Sequence, residues 1–142
     1  MPLPDDPFWR EFIEAMPAKT AKFASVAKDG SPRVSPIWVA FDGDDLMFTT
    51  HGTSAKAKAI GRDPRVAMCF DDERPPFRYV VVFGTASASE ELDELRRWAT
   101  TIAARYMGDD RADEYGDRNG VPGELLVRVT PTKVIAARDV AD

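Results

Sequence analysis

Residues 23–50, FASVAKDGSPRVSPIWVAFDGDDLMFTT, decide the fold. Three strand-like runs, Lys22 to Ala27, Arg33 to Phe41 and Leu46 to Thr50, are divided by two tight turns. The first turn, Lys28 to Ser31 (KDGS), carries the Asp-Gly pair that short hairpin turns prefer, because their central positions need positive φ. The second is Asp42-Gly43-Asp44. Strand, turn, strand, turn, strand reads as an antiparallel meander.

The pattern extends in both directions. Towards the N-terminus, Asp6-Pro7 opens a helix whose apolar residues Phe8, Phe12, Ile13 and Met16 recur at helical spacing before Pro17. Towards the C-terminus, Ser54 caps a short helix ending near Gly61, and Asp63-Pro64 introduces a strand from Val66 to Phe70. A charged loop, Asp71 to Pro76, leads to a long strand from Phe77 to Ala88, where Gly84 marks a bulge or bend. Residues 90–107 form the longest helix, with Leu92, Leu95, Trp98, Ile102 and Tyr106 on one stripe. Another short helix is expected within Asp109 to Gly120. Two closing strands, Glu124 to Val129 and Val134 to Arg138, flank Pro131.

Two runs do not alternate: IWVAF (Ile37 to Phe41) and YVVVF (Tyr79 to Phe83). A half-exposed strand alternates apolar with polar residues, so continuous apolar runs imply cover on both faces. The expected architecture is mainly β with flanking helices: a six- to seven-stranded antiparallel barrel in one domain, its outer face covered by the long helix or by a second subunit.

At 142 residues the chain suffices for one domain with a real core. Its net charge of −5 argues against general nucleic-acid binding, which needs a basic face. One cysteine, Cys69, and one histidine, His51, exclude an internal disulfide and a Cys/His metal site. Cys69 reads as a small core hydrophobe within VAMCF. The N-terminus lacks the basic flank and apolar stretch of a secretion signal, and no apolar run has membrane-spanning length. The cytoplasm is the expected compartment.

Against that acidic background, residues 48–65, FTTHGTSAKAKAIGRDPR, concentrate Lys56, Lys58, Arg62 and Arg65 with one acid, Asp63. Ammonium groups beside the free N–H groups of a helix start favour an anion such as a phosphate. The competing reading is a solvated helix face. Lys56 and Lys58 are two apart and do not share a helical face, so one of them is expected to reach the phosphate. Thr49 and Thr50 also suit a plain strand end. His51 reads as a turn residue beside Gly52, and with Ser54 it lacks the third partner of a nucleophilic triad. Trp38 reads as core or interface. The acids of 109–117 form a surface run without the spacing of a calcium loop.

Four segments in this order resemble the flavin-binding split-barrel superfamily of pyridoxamine 5'-phosphate oxidase-like proteins, including actinobacterial relatives that use the deazaflavin coenzyme F-420. They are the meander of 23–50, SAKAKAIGRDPRVAMCF with its Ser-x-Lys-x-Lys step, FRYVVVFGTASA, and LLVRVTPTKV. The resemblance spans residues 20–136. It implies a Greek-key split barrel working as a homodimer, with the cofactor in a groove between subunits. Thr49, Thr50, Ser54, Lys56 and Lys58 match the phosphate side. Ser35, Pro36 and Ile37 match the strand along the isoalloxazine ring, and Phe77 and Tyr79 match ring contacts contributed across the subunit boundary. The implied activity is hydride transfer between F-420 or FMN and a small organic substrate, without an obligatory protein nucleophile. The chain lacks the Arg-x-x-x-(Leu/Val) motif that precedes the Ser/Lys step in true pyridoxamine phosphate oxidases, which speaks against vitamin B6 oxidation, while its short length, its Lys-x-Lys step and its Arg-Asp-Pro-Arg run resemble the F-420 branch. The alternative is a non-catalytic protein that stores a flavin, a deazaflavin or haem.

Overall fold

A break at Trp38-Val39 shapes the molecule. The run expected as one strand from Arg33 to Phe41 is two: β2 (Pro32–Ile37) and β3 (Ala40–Asp42). β2 pairs with β1 (Ala21–Val26), and β3 pairs with β4 (Asp45–His51). At the break, the Val39 N–H donates to Tyr106 Oη at 3.2 Å, and Arg105 Nε donates to the Val39 carbonyl at 3.1 Å. Side chains of a distant helix thus replace the ladder partners that Val39 gives up.

The computed structural model describes residues 3–141. After α1 (Phe8–Glu14) and the four strands above come α2 (Ala55–Arg62), β5 (Arg65–Asp71), β6 (Tyr79–Ser89), α3 (Leu92–Met107), a 3-10 turn at Asp109–Arg111, α4 (Ala112–Asn119) and β7 (Glu124–Ala137). All strand pairs are antiparallel, in the seven-stranded order β2-β1-β5-β6-β7-β4-β3. The outer strands β2 and β3 are consecutive in the chain, with two residues between them. That link spans roughly 10 Å, so the sheet must curl until its edges approach. The result is a split barrel.

The interior holds Phe23, Phe48, Phe70, Leu46, Met68, Val80, Val82 and Val127, all fully buried. Phe23 and Phe48 face each other across the barrel with ring centroids 4.9 Å apart. Each such side chain stabilises the fold by ~1.5–3 kcal/mol. α1 closes one end with Trp9, Phe12 and Ile13. Asp6 receives the Phe8 N–H at 2.9 Å, while Pro7 occupies the cap position itself.

α3 lies on the outside of the barrel. Its Leu95, Trp98 and Ile102 pack on Ala40, Met47 and Leu126, which face away from the interior. This covers the outer side of the IWVAF run. Leu92, read as part of the helix stripe, is exposed, and Glu91 caps the helix by accepting from the N–H groups of Asp93 and Glu94. Among the described residues, no helix covers the outer side of the YVVVF run. Val80 and Val82 point inward, whereas Phe83, 37% exposed, points out.

The two closing strands are one. β7 runs unbroken past Pro131, which stands opposite Gly84 where the β6–β7 register shifts. A methyl group at Gly84 would lie 2.5 Å from the Thr130 carbonyl oxygen, so only glycine allows β7 this close. Proline, which cannot donate to the ladder, falls at the irregularity.

Candidate functional site

The site is built at the junction of β4 and α2. Thr50, buried at the end of β4, shares a 2.9 Å hydrogen bond with Ser54 Oγ. Ser54 caps α2, accepting from the Ala57 N–H at 3.1 Å, and its carbonyl receives the Lys58 N–H at 3.1 Å. The first-turn N–H groups of α2 precede any intrahelical acceptor and carry the positive end of the helix dipole. From that turn the half-buried Lys56 crosses to β2 and donates to Ser35 Oγ at 3.1 Å.

Lys56 borders two cavities. One, of about 300 Å³, is lined by Pro36, Ile37, Trp38, Thr49, Thr50 and Lys56 on the barrel side and by Ala99, Ile102, Ala103 and Asn119 on the helix side. The other, of about 170 Å³, is lined by Phe23, Ser25, Arg33, Val34, Ser35, Ala55 and Lys56. The larger exists because α3 presents alanines there. Its aromatic wall is held in place: Trp38 stacks on Tyr106 at 5.1 Å with the ring planes 4° apart, and meets Tyr115 edge-on at 5.9 Å. α4 delivers Asn119 by packing closely on α3. A Cβ at Gly120 would lie 2.7 Å from Arg96 Cα, and one at Gly116 would collide with the Thr100 hydroxyl.

Neither Lys56 nor Arg33 has a carboxylate within 4 Å among the described residues. Two cations without a carboxylate in contact, the hydroxyls of Ser35 and Thr50 and a helix start therefore lie together in a chain of net charge −5. This donor set fits a phosphate. Among the described residues, no carboxylate or imidazole lines either cavity. His51 is exposed, and its Nδ1 lies 2.8 Å from the Thr53 hydroxyl, in the turn.

Of the residues singled out in the sequence, Ser35, Pro36, Ile37, Thr49, Thr50, Ser54 and Lys56 come together here. The others do not. Lys58 is exposed on the far side of α2. Arg65 is tied to Asp63, donating at 2.6 Å from Nη2, so the basic cluster of 56–65 reduces to Lys56 at the cavities. Phe77 sits in the 72–78 loop with φ 62°, and Tyr79 begins β6, separated from β2 by β1 and β5. Neither lines these cavities. Sequence reasoning missed Arg33, Asn119 and the placement of Trp38 as a cavity wall. Arg33 carries no local signal, because only the β1–β2 pairing brings it beside Ser25. For Asn119 a signal existed: Gly116 and Gly120, four apart, permit the close helix contact.

The seven-stranded sheet and its flanking helices define a split-barrel protein. Within that class the chain belongs to the pyridoxamine 5'-phosphate oxidase family, whose profile matches residues 6–137. It is similar to an F-420 reductase at 26% identity and a TM-score of 0.72, over 93% of this chain and 98% of that one. The conserved hypothetical protein Rv2991 of Mycobacterium tuberculosis shares the fold at 24% identity and a TM-score of 0.82, over 94% and 84% of the two chains. HutZ, a haem storage protein of Vibrio cholerae, shares it at 17% identity and a TM-score of 0.69, over 92% of each. No curated protein matches the sequence.

Proposed function

We propose that this protein is a cytoplasmic, homodimeric oxidoreductase that transfers hydride between coenzyme F-420, or FMN, and a small organic substrate. The observation that carries the proposal is Lys56 at the start of α2, bonded to Ser35, between two cavities that no carboxylate lines among the described residues. Lys56, Arg33 and the first turn of α2 would hold the cofactor phosphate. Pro36, Ile37 and Trp38 would supply a flat, largely apolar surface for the ring. The cofactor brings the redox chemistry, and the protein binds, orients and keeps water from the ring. F-420 is favoured over FMN by the short chain, the Lys-x-Lys step, the Arg-Asp-Pro-Arg run and the similarity to an F-420 reductase.

The dimer is supported by the bare outer face of the sheet. Val34, Phe83 and Ile135 are 71%, 37% and 39% exposed, around a shallow depression of about 430 Å³ whose lining includes Ala24, Val26 and Ala67. Contiguous apolar surface of this kind marks an association site. Phe77 and Tyr79, remote from Lys56 within one protomer, would serve the partner's cofactor.

A second reading, a non-catalytic carrier of flavin, deazaflavin or haem, is favoured by the lack of a carboxylate or imidazole in the two cavities. One experiment separates the readings. The purified protein is titrated with F-420 and with FMN, then loaded with each in reduced form and offered quinones, enones and tetrapyrroles. Reoxidation by a substrate supports the oxidoreductase. Tight binding without turnover in any combination supports the carrier, and binding of neither cofactor overturns both flavin readings.

A further inference from the structure

A cavity of about 570 Å³ lies between α1, residues 15–19 and residues 71–78, and it shares no lining residue with the two cavities at Lys56. Its size is that of a small-molecule site. Its cations are Lys19, Arg74 and Arg78, and its acids are Glu11, Asp71, Asp72 and Glu73. The acids do not neutralise the cations evenly. Asp71 is held by Lys22 at 2.8 Å. Asp72 alone serves two guanidinium groups, Arg74 at 3.1 Å and Arg78 at 3.8 Å. Glu11 and Glu73 are exposed at the rim.

Two donors are left over. Arg78 Nε is buried with no hydrogen-bond partner among the described residues. Among the described residues, the Lys19 ammonium reaches only the Phe12 carbonyl, at 3.3 Å, and the face of the Phe12 ring, 4.5 Å from its centroid. Burial pushes the Lys19 amine below its ordinary range, the cost of a cation whose water is not fully replaced. Phe8 lies beside Phe12, ring centroids 5.6 Å apart, and both line the cavity, so an aromatic surface adjoins the underused donors.

We propose that this cavity binds a planar aromatic carboxylate, with its ring against Phe8 and Phe12 and its carboxylate between Lys19 and Arg78. Residual acids at the mouth select a single negative charge over a phosphate dianion, which Glu11, Asp72 and Glu73 would repel. Neither the site nor its ligand depends on the flavin reading.

The test uses the full chain and 1-naphthoate as probe. Equilibrium dialysis, with and without saturating FMN, measures affinity, and amide chemical shifts locate the site. The expected result is saturable binding, unchanged by FMN, with shifts confined to residues 8–19 and 71–78. Lys19→Met and Arg78→Met should each weaken it by at least tenfold, the loss of a charge-assisted hydrogen bond. Near-UV circular dichroism checks that the variants are folded, and the wild-type shift map stands if either is not. Unsaturable binding, displacement by FMN, shifts elsewhere, or unchanged affinity in both folded variants would each overturn the proposal.

Discussion

The ammonium of Lys56 donates to the hydroxyl of Ser35, 21 residues earlier, at 3.1 Å, and so ties the first turn of α2 to the middle of β2. An anion arriving there meets a cation already positioned by a neutral partner. Replacing Lys56 by Ala should weaken flavin binding by ~1.5–3 kcal/mol, and Ser35→Ala by the smaller ~0.5–1.5 kcal/mol of a neutral hydrogen bond. Fluorescence titration reads both. Wild-type affinity in Lys56→Ala would remove that residue from the site.

Arg33 and Lys58 separate two geometries. Arg33 lines the cavity beyond Lys56, whereas Lys58 is exposed on the other side of α2. Arg33→Gln should weaken flavin binding by about 1 kcal/mol, and Lys58→Gln should stay within about 0.5 kcal/mol of wild type. The reverse order would put the phosphate on the outer face of the helix.

Two glycines should respond in opposite directions to alanine. A methyl at Gly120 would press on Arg96 Cα and on the Gly116 carbonyl oxygen, each at 2.7 Å, so α4 must move and carry Asn119 with it. Gly120→Ala should cost about 1–3 kcal/mol in stability and loosen flavin binding as well. Gly61, inside α2, has open space where its Cβ would be. Gly61→Ala should stabilise the protein by about 0.5–1 kcal/mol through helix propensity, with binding unchanged. Thermal unfolding of the two variants checks both signs.

Hydrogen bonds from the Arg65 guanidinium, then from the Arg65 backbone N–H, hold the Asp63 carboxyl at about 2, below its ordinary 3.8. The folded state therefore keeps this carboxylate charged where the unfolded chain has already taken up a proton. Its contribution to stability is full above about 4, declines as pH falls towards about 2, and is absent below. A carbon-detected titration should place the Asp63 midpoint near 2 in wild type and higher in Arg65→Gln. An unshifted midpoint in wild type would show that the pair does not form in solution.

Phe83 projects from the uncovered face of β6. Placing a charge there, Phe83→Glu, should convert a dimer to a monomer in sedimentation equilibrium and weaken cofactor binding in parallel. A monomeric wild-type protein would sink the shared-groove arrangement.

Much of this fold was legible in the sequence because its punctuation is local. Asp29-Gly30 and Asp42-Gly43 turn the chain with both glycines at positive φ, and Ser54 caps α2 with its own hydroxyl. Gly84 was read as a bulge from its place in a strand, and the register shift falls there. The break at Trp38-Val39 was not legible. IWVAF has good strand propensity throughout, and it divides because Tyr106 and Arg105, more than sixty residues on, bond the backbone of Val39. Pro131 misled in the opposite sense: it looks like a strand terminator, yet β7 passes through it because Gly84 leaves room opposite.

The same division runs through the site. Hydroxyl, cap and lysine of the β4–α2 junction lie within seven residues, from Thr50 to Lys56, so local hydrogen bonding sets Thr50 and Ser54 beside the helix start and the pattern marks a candidate anion site. Which of the neighbouring cations lie at the cavities depends on packing. Lys58 turns outward through helix geometry, Arg65 is captured by Asp63, and Arg33 arrives through strand pairing. Charge and capping act over one helical turn and can be read from spacing. The cavity depends on which faces of distant elements meet, and no local pattern encodes that.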